Sequence, residues 1–442
     1  MKRRLIFPWI FFLAGALYGQ KVTILEHVNI IDGTGKSMMA NQNMIIKDGV
    51  ISGINTDKNI TKDATIINLA GKYIMPEIIN AHGHLGILKD TVTSAANFTS
   101  ENIRRQLLRY QQYGVAAVVS MGSDQELIIG LRDSSRSGKI PGATIYSALY
   151  GFSVKDSGPP KSMGMVRLYR PETVQQAISE VDSLALLKPD LIKIWVDDFG
   201  GQSPKMKPGI YGAIIKEAHS KGIRVASHLY YLEDARRLVD AGLDIIAHSV
   251  RDAEIDDTLI AAMKKNKVMY IPTLSLDEFA YAFEGSPGWI NDPFFKAALE
   301  PGVFEMITRE SYKDRVRKDP KTPKEKAALQ IAMKNVVKLY RAGVLVALGT
   351  DSGAMPIRVQ GFSEHMEMEL YVAAGLTPME AIKIATQNGT RLLHIDNERG
   401  SLQVGKKADF IVLDANPLDN IRNTHAINSV WKNGEKVADK VF

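Results

Sequence analysis

The sequence predicts an α/β protein: a (β/α)8 TIM-like barrel with a small discontinuous β-sandwich domain formed by both termini. Three observations predict this fold. The chain has 442 residues, which is too long for one small core. Its two ends are rich in short strand-like runs. Its long middle alternates apolar, β-branched runs with helical patterns, as expected of a parallel sheet that is buried on both faces.

The first twenty residues have the layout of a secretory signal peptide. Lys2, Arg3 and Arg4 precede an apolar stretch of about a dozen residues, and small residues and Gln20 follow. This stretch is shorter than the ~20 residues that a membrane-spanning helix needs, and an uncleaved N-terminal anchor is the alternative. We therefore expect residues 1–20 to be removed and the mature protein to be periplasmic or secreted, with no membrane span.

The composition excludes several classes of function. The formal net charge is +6, and three of the basic residues lie in the leader. The densest basic run, residues 313–326, contains interleaved acids and no aromatic platform, so nucleic-acid binding has no support. The chain has no cysteine, which excludes disulfides and thiol nucleophiles. It also has no P-loop or dinucleotide-binding glycine motif, which argues against nucleotide chemistry.

Residues 21–75 and 397–442 are predicted to form the β-sandwich domain. The first stretch contains "KVTILEHVNIIDGTG", "NMIIKDGVISGI" and "ATIINLAGKYIM", and the second contains "GSLQVGKKADFIVLDANP" and "INSVWKNGEKVA". The "KDG" and "KNG" triplets between apolar runs are hairpin signals, because glycine adopts positive φ without steric cost. The shared character of the two ends predicts that they pack together.

Residues 76–396 are predicted to form the barrel, in which the chemistry lies at the C-terminal ends of the strands. The eight strand candidates are in "YIMPEIINAH", "VAAVVSMGSD", "ATIYSALYG", "LIKIWVDD", "RVASHLY", "DIIAHSV", "VMYIPTLS" and "LVALGTDS". Helical patterns such as "GIYGAIIKEAHSKG" separate several of them. Residues 277–325 are aromatic and broken by proline and glycine. We expect them to form an irregular insertion, either a lid over the barrel mouth or a plain surface excursion.

Ionisable residues recur at the predicted C-terminal ends of these strands. His82 and His84 share one face, because alternate residues of a strand point the same way. Two neighbouring imidazoles are awkward to satisfy with ordinary hydrogen bonds, but they suit a divalent metal ion. His228, His248 and Asp351 end three later strands. Because these strand ends converge in a barrel, the four histidines and the aspartate predict a metal centre.

Lys193 lies inside the fourth strand candidate, "LIKIWV". Both faces of a barrel strand are buried, so a charged ammonium group there is costly unless it is paired or neutralised. One solution is a salt bridge to Asp197 or Asp198 at the end of the strand. The other solution is chemical, because a neutral lysine can take up carbon dioxide and become a carbamate. A carbamate is an anionic oxygen ligand that can bridge two metal ions.

The chain resembles the amidohydrolase superfamily, and within it the secreted Xaa-Pro dipeptidase (prolidase) and imidazolonepropionase-like branch. The similarity covers almost all of the chain after the leader. It rests on "VNIIDGTG", "KDGVISGI" and "GKYIMPEIINAHGHL" near the start, and on "AGLTPMEAIKIATQNGTRLL" and "GSLQVGKKADFIVLDANPL" near the end. Glu77 and Asn80 depart from the family pattern, which usually has Gly and Asp there. Asp197 and Asp198 stand where many relatives have small residues, which leaves the substrate preference open.

The resemblance implies a centre with two divalent metal ions, for which zinc is our first choice. It implies that His82, His84 and Asp351 hold one ion, that His228 and His248 hold the second, and that a carboxylated Lys193 bridges both. Metal ions placed in this way hold a bridging hydroxide, because they lower the pKa of bound water toward ~7. Asp351 is then the predicted general base, and hydrolysis of an amide C–N bond is the expected reaction.

The expected activity is that of a dipeptidase-like amidohydrolase acting on a dipeptide or a related small-molecule amide. Tyr231 is predicted to donate a hydrogen bond to the oxyanion or to a substrate carboxylate, with aromatic packing as the alternative. His365 lies on a helical pattern, and we assign it to packing or solvent rather than to the site. A cyclic amidase or lactonase of the same fold is the first alternative, and a non-catalytic binding protein is the remote one. The sequence leaves open whether the chain forms a homo-oligomer.

Overall fold

The computed structural model describes residues 21–55, 63–159 and 161–440. The predicted signal peptide, residues 1–20, lies outside the described residues. Within the part of the chain that is described, no helix combines the length and the hydropathy that a membrane crossing requires.

Strands dominate the two ends of the chain, and strands alternate with helices between them. The strands are β1 (Val22–Ile30), β2 (Met39–Lys47), β3 (Val50–Ile54), β4 (Thr65–Asn68), β5 (Tyr73–Pro76), β6 (Ile78–Gly83), β7 (Leu88–Lys89), β8 (Val92–Thr93), β9 (Val115–Ser120), β10 (Thr144–Ser147), β11 (Ile192–Trp195), β12 (Val225–His228), β13 (Ile245–Ala247), β14 (Met269–Ile271), β15 (Phe410–Leu413), β16 (Ile427–Lys432) and β17 (Glu435–Asp439). The α-helices are α1 (Ser100–Gln112), α2 (Leu127–Arg136), α3 (Val174–Ala185), α4 (Pro208–Ser220), α5 (Leu232–Asp240), α6 (Asp257–Lys265), α7 (Leu274–Tyr281), α8 (Pro293–Ala298), α9 (Val303–Thr308), α10 (Glu310–Lys318), α11 (Thr322–Arg341), α12 (Phe362–Ala374), α13 (Pro378–Lys383) and α14 (Gly389–Leu393).

Several helices begin at residues that satisfy their first free N–H groups. Thr173 and Gln176 form a capping box at the start of α3, and Thr377 and Glu380 form another at the start of α13. In a capping box, the two side chains accept hydrogen bonds from each other's backbone N–H groups. The local sequence therefore fixes where these helices start.

One eight-stranded sheet combines strands from the two ends of the chain. Its order is β17-β16-β15-β5-β1-β2-β3, and β4 pairs in parallel with β1. β15 pairs antiparallel with β5, with Val412 opposite Ile74, and this pairing joins the C-terminal strands to the N-terminal ones. Leu25, Phe410 and Trp431 belong to the hydrophobic core on this sheet. The two ends of the chain therefore meet in one sheet.

The two hairpin signals of the sequence form tight turns. Asp48 and Gly49 connect β2 to β3 with φ values of 50° and 80°, and Asn433 and Gly434 connect β16 to β17 with 50° and 71°. Positive φ at both central residues matches the twist of the flanking strands. A Cβ atom at Gly49 would lie 2.7 Å from the carbonyl oxygen of Asn433, so the two turns pack directly against each other.

Between the ends of the chain, the described residues form two parallel sheets. The first has the order β10-β9-β6, and the second has the order β11-β12-β13-β14. A single parallel bridge between Phe152, in the segment after β10, and Ile194 of β11 connects this part of the chain to the second sheet. Every residue of β6, β9 and β11 is buried, which explains why these strands appear in the sequence as continuous apolar runs.

The predicted eighth strand, "LVALGTDS", is not a regular strand, so this expectation is wrong. Val346 forms a single parallel bridge to Tyr270 in β14, and Ser352 forms one to Gly83 in β6. The segment therefore touches both the last and the first of the parallel strands. Ala347 donates a backbone hydrogen bond to Tyr270, and Leu348 accepts one from Ala81, so the segment makes isolated hydrogen bonds to both neighbours.

The first predicted strand is divided at Glu77. Residues before it form β5 in the terminal sheet, and residues after it form β6, the first of the parallel strands. Glu77 is buried, and burial together with the nearby charge of Asp409 raises its pKa well above the usual value. Glu77, which replaces the Gly of the family pattern, therefore lies at the junction between the terminal sheet and the first parallel sheet, and not at the end of β6.

The expectation of irregular structure in residues 277–325 is wrong, because most of this segment lies in α7 to α10 and the start of α11. Proline and glycine mark the starts of helices here. Pro293 is the first residue of α8, and Gly302 is the left-handed residue that precedes α9. The aromatic side chains pack against one another, with the rings of Phe279 and Trp289 centred 5.9 Å apart.

Candidate metal centre

Three predicted ligands lie together at the C-terminal end of β6. Oδ1 of Asp351 is 2.8 Å from Nε2 of His84 and 3.2 Å from Nε2 of His82. One ligand atom from each residue lies within 4.8 Å of the other two, and all three residues are buried. Two imidazoles and one carboxylate at this spacing fit a single divalent cation such as zinc.

The backbone around Asp351 is shaped by close contact with β6. The N–H of Asp351 donates a hydrogen bond to the carbonyl oxygen of His82 at 2.8 Å, and Asp351 adopts positive φ. A Cβ atom at Gly349 would lie 2.7 Å from the Cβ of His82, so only glycine fits there. Left-handed backbone at a residue other than glycine is costly and is typical of functional sites. The tight turn brings the carboxylate of Asp351 to the histidines.

Neighbouring side chains orient the three ligands. Nδ1 of His84 is 2.7 Å from Oγ of Ser123. The second oxygen of Asp351, Oδ2, accepts a hydrogen bond from Nη1 of Arg358 in an ion pair. Burial raises the pKa of Asp351, but Arg358 and the two histidines outweigh burial and hold that pKa well below its usual value. The carboxylate is therefore ionised, which metal binding requires.

His228 and His248 adjoin this three-residue group without being part of it. The ring of His248 is centred 4.5 Å from that of His82 and 4.6 Å from that of His228. Nδ1 of His248 is 2.9 Å from Oγ1 of Thr273, and Nε2 of His228 is 3.2 Å from Oδ2 of Asp197. The structure thus brings all four predicted histidine ligands to one place.

Burial favours the neutral form of three of these histidines, His82, His228 and His248. It lowers the pKa of His82 to about 3, lowers that of His248 well below its usual value, and also lowers the pKa of His228. A neutral imidazole offers a lone pair to a metal ion. Nδ1 of His82 and Nδ1 of His228 are buried without a hydrogen-bond partner among the described residues. Since buried polar atoms are seldom left unpaired, the free Nδ1 of His228 fits a metal-binding role, whereas His82 faces Asp351 through its Nε2.

Lys193 is fully buried in β11, and its Nζ has no hydrogen-bond partner in the described part of the chain. Burial lowers the pKa of Lys193 to about 7. The alternative of a salt bridge to Asp197 or Asp198 is not supported. Asp197 instead contacts His228, and Asp198 accepts a hydrogen bond from Tyr231. A buried amine that is readily neutral and has no hydrogen-bond partner among the described residues fits the uptake of carbon dioxide.

A cavity of about 570 Å³ opens onto the ligand cluster. The predicted metal ligands other than Lys193 line it. Trp195 and Phe199 add apolar surface, whereas Arg251, Lys324 and Arg358 add positive charge. Lys324 belongs to the predicted insertion, so this segment contributes to the cavity wall. The size and the mixed lining are typical of a site for a small molecule.

Tyr231 also lines the cavity, at the start of α5. Its hydroxyl donates a hydrogen bond to Oδ1 of Asp198 at 3.0 Å, and Nζ of Lys205 lies 4.0 Å from the centre of its ring. Burial and the nearby Asp198 raise the pKa of the phenol, so it stays protonated at neutral pH. A protonated hydroxyl in the cavity wall is compatible with the predicted role as a donor, which stays a prediction.

Three residues near the ligands escaped the sequence analysis. Arg251 and Arg358 line the cavity from loops, where no periodic pattern marks a basic residue. Asp124 is buried, accepts hydrogen bonds from Ser120 and Ser147, and has a pKa raised by burial to about 6. Its position after β9 in "VVSMGSD" is the signal that could have identified it, because the other polar site residues also follow strands.

Two residues that the sequence analysis singled out have structural partners. Both ring nitrogens of His365 lie 2.9 Å from oxygen atoms, those of Thr424 and of the Tyr113 carbonyl, so His365 is a packing residue. Asn80 donates a hydrogen bond to Oε1 of Glu364 at 2.6 Å and accepts one from the N–H of His82 at 3.0 Å. Asn80 therefore supports the turn that presents His82.

Comparison with known proteins identifies the family. The sequence profile of the amidohydrolase family matches residues 73–437. An ochratoxinase of Aspergillus niger is 28% identical over 234 residues, which are 50% of this chain and 39% of that protein. An imidazolonepropionase of Brevibacillus brevis is 21% identical over 428 residues, which are 90% of each chain. The crystal structure of a Xaa-Pro dipeptidase with bound methionine in the active site has a TM-score of 0.72 at 22% identity, over 94% of this chain and 99% of that one.

This chain belongs to the amidohydrolase family. The predicted resemblance to that family and to its Xaa-Pro dipeptidase and imidazolonepropionase members is therefore confirmed. The matched stretch spans less than half the length of the ochratoxinase, and the similarity to the dipeptidase structure shows the fold alone.

Proposed function

We propose that this chain is a binuclear metal-dependent amidohydrolase that cleaves amide C–N bonds, with prolidase-like dipeptide hydrolysis as the first candidate reaction. The observation that carries the proposal is the buried, unpaired amine of Lys193 on a strand beside the four histidines and Asp351. An unpaired buried amine destabilises a fold, and conversion to a metal-bound carbamate would remove that cost. Membership of the amidohydrolase family and a fold shared with a Xaa-Pro dipeptidase support this class of reaction.

The residues present fit two metal ions. His82, His84 and Asp351 would hold one ion, since their ligand atoms already lie within 4.8 Å of one another. His228 and His248 would hold the second, and a carboxylated Lys193 would bridge the two. Zinc suits this set of nitrogen and oxygen ligands. When bound, the metal pair supplies a water activated at neutral pH and a Lewis acid for the substrate carbonyl.

The protein's own side chains would move the proton and hold the substrate. Asp351 is the proposed general base, because its ionised carboxylate lies at the cavity wall beside both ligand histidines. It would accept a proton from the attacking water and pass that proton to the leaving amine. Tyr231 is proposed to donate a hydrogen bond from the cavity wall to the developing oxyanion or to a substrate carboxylate.

We also propose the architecture that places these residues. The parallel strands within residues 76–396 are proposed to form a (β/α)8 barrel. The single bridges from Phe152, after β10, to β11 and from Ser352 back to β6 support this proposal. Residues 21–75 and 397–442 are proposed to form the second domain, with a sandwich arrangement. Residues 1–20 are proposed to direct export to the periplasm or out of the cell. N-terminal sequencing of the exported protein tests the last proposal, and the expected start is near residue 21.

A substrate screen tests the proposed reaction. Protein loaded with zinc in bicarbonate buffer is assayed against dipeptides, N-acyl amino acids, cyclic amides and lactones, and its metal content is measured. The expected result is hydrolysis of linear amides with two metal ions per chain. Activity on lactones or cyclic amides alone would replace the dipeptidase assignment with the alternative. Bound metal without hydrolysis would instead indicate a binding protein, and absence of metal binding would overturn the proposal.

A further inference from the structure

The carboxylate of Asp197 lies beside the ring of His228 because two neighbouring strands end together. In the parallel pairing of β11 with β12, Trp195 lies opposite His228, and the N–H of Val196 donates a hydrogen bond to the carbonyl oxygen of His228 at 3.2 Å. Asp197 is the next residue along the chain. Its Oδ2 is 3.2 Å from Nε2 of His228, and both residues line the cavity. The register of the two strands therefore sets this contact.

The contact determines which ring nitrogen of His228 is available to a metal ion. An aspartate is ionised at neutral pH and then only accepts hydrogen bonds, so Nε2 of His228 must carry the hydrogen. An imidazole that binds a metal ion is neutral and has a single N–H group, which leaves a lone pair on Nδ1. That Nδ1 is buried and has no hydrogen-bond partner in the described part of the chain. The free lone pair is therefore on the nitrogen that Asp197 does not contact.

Hydroxyl groups face the corresponding nitrogens of two other histidines in the cluster. Nδ1 of His84 is 2.7 Å from Oγ of Ser123. Nδ1 of His248 is 2.9 Å from Oγ1 of Thr273. A hydroxyl can donate or accept a hydrogen bond, so it fits either tautomer of the ring. Within the described chain, His228 is the one histidine of this cluster that meets a carboxylate outside the proposed ligand set.

We propose that Asp197 is a positioning residue of the metal centre, which accepts the Nε2–H of His228 and so presents Nδ1 of that histidine to the second ion. This inference rests on the proposed function, because it takes His228 to hold a metal ion. A carboxylate behind a ligand histidine fixes its tautomer and ring orientation and makes the ligand nitrogen more basic. The ring of Phe199 stacks on that of His228 with centres 5.4 Å apart and restrains the same orientation. Asp197, which stands where many relatives have a small residue, thus serves the metal centre.

The affinity for zinc tests this inference. The zinc-loaded wild type, Asp197→Ala and Asp197→Asn are titrated with a zinc chelator, and the ions that remain bound are counted. Loss of the carboxylate in Asp197→Ala is expected to weaken the binding of one of the two ions about 10- to 100-fold. Asp197→Asn keeps an oxygen that can accept the hydrogen bond, so it should lose much less affinity. Asp182→Ala removes a carboxylate from an exposed ion pair with Lys221 and should bind zinc as the wild type does.

Nitrogen NMR of the zinc-loaded protein with isotope-labelled histidines separates the positioning role from a general effect on the fold. The signals of His228 are identified by their absence from the spectrum of His228→Gln. In the wild type they should show a hydrogen on Nε2 and none on Nδ1. In Asp197→Asn the same pattern should persist, because the amide oxygen still accepts the hydrogen bond.

The possible results distinguish this inference from the proposed function. Two zinc ions in the wild type and unchanged zinc affinity in Asp197→Ala would overturn the inference and leave the proposed function intact. A hydrogen on Nδ1 of His228 would have the same consequence. Equal loss of one ion from Asp197→Ala and Asp197→Asn, with no hydrogen on Nε2 of His228, would make Asp197 a metal ligand and would also overturn the inference. Fewer than two zinc ions in the wild type would contradict the proposed function itself, and the inference would fall with it.

Discussion

The protein contains two clusters of buried histidines, and they differ in how their polar atoms are satisfied. In the candidate metal centre, one ring nitrogen of His82 and one of His228 are buried without a hydrogen-bond partner among the described residues. The Nζ of Lys193 in the adjoining strand is likewise unpaired. Three polar atoms of this cluster therefore lack a hydrogen-bond partner in the described protein. This is expected of residues that bind a metal ion or another ligand.

The second cluster lies where α12 meets the segment before β16. Both ring nitrogens of His365 contact oxygen atoms, and His425 stacks on Phe294 with ring centres 4.1 Å apart. Nε2 of His425 is 2.9 Å from Oε1 of Glu369. Each ring nitrogen of this cluster lies within 3.5 Å of a protein oxygen, in a hydrogen bond or in an ion-pair contact, so its histidines stabilise the fold. The comparison teaches that the two clusters differ in the partners of their ring nitrogens, and not in the burial of their histidines.

The largest expected effect follows from replacing Lys193. Lys193→Ala removes the only proposed bridge between the two metal ions, so we expect the loss of at least one ion and a fall in kcat/KM of about 10³-fold or more. Metal analysis and steady-state kinetics measure the two effects. Lys334→Ala, which breaks an exposed ion pair with Glu254, is the matched control and should behave as the wild type. Full metal content and activity in Lys193→Ala would contradict the assignment.

Replacing Asp351 should affect turnover more than the fold. Asp351→Asn keeps the shape of the side chain and one oxygen for metal binding, but an amide cannot accept the proton from water. We expect kcat to fall by about 10²- to 10⁴-fold while metal stays bound. Kinetics and metal content on the same sample check this prediction. Unchanged turnover would exclude Asp351 as the general base.

For the second cluster, we expect a change of pH to alter the free energy of unfolding and not the enzymatic activity. Burial lowers the pKa of His425, but hydrogen bonds to Asp292 and Glu369 outweigh it and raise that pKa above its usual value. Because the folded-state pKa is the higher one, His425 stabilises the fold fully below its unfolded pKa of about 6.5, and this stabilisation is lost as pH rises through the folded pKa. His365, Arg422 and the two carboxylates are the titratable or charged groups around it.

Urea unfolding of the wild type and of His425→Gln measures this effect. The difference in free energy of unfolding should be about 3 kcal/mol at acidic pH, as for a buried ion pair that loses one partner, and smaller at alkaline pH. A difference that grows with rising pH would contradict the sign of the pKa shift.

The smallest expected effect concerns His365. His365→Phe leaves the carbonyl oxygen of Tyr113 and the hydroxyl of Thr424 without their imidazole partner, so we expect a loss of about 1–3 kcal/mol in stability. The values of kcat and KM should not change, because His365 does not line the cavity. A large fall in kcat with unchanged stability would mean that the two clusters are coupled.

The sequence could predict that the candidate ligands lie together because each follows or interrupts an apolar run. His82, His228 and His248 lie at strand ends, and strand ends converge, so a local pattern was enough to place them together. The eighth strand was predicted too regularly, because its backbone is set by contact with β6 at Gly349 and by the turn at Asp351, which are tertiary effects. Arg358 was missed for the same reason, since nothing local shows that a loop arginine folds back onto Asp351.

The helical insertion was misjudged because proline and glycine were taken as breaks in structure. Pro293 and Gly302 instead start helices, and the aromatic residues of these helices pack into the main hydrophobic core. Glu77 shows the opposite error, because here a real break between two strands was not predicted. Its chain neighbours form one apolar run in the sequence, yet the run is shared between two sheets.

X-ray diffraction at the zinc absorption edge, from crystals grown with zinc and bicarbonate, tests the central claim most directly. The account predicts two anomalous peaks per chain, one beside His82, His84 and Asp351 and one beside His228 and His248, with extra carboxylate density on Nζ of Lys193 between them. An unmodified Lys193 with one peak or none would contradict it.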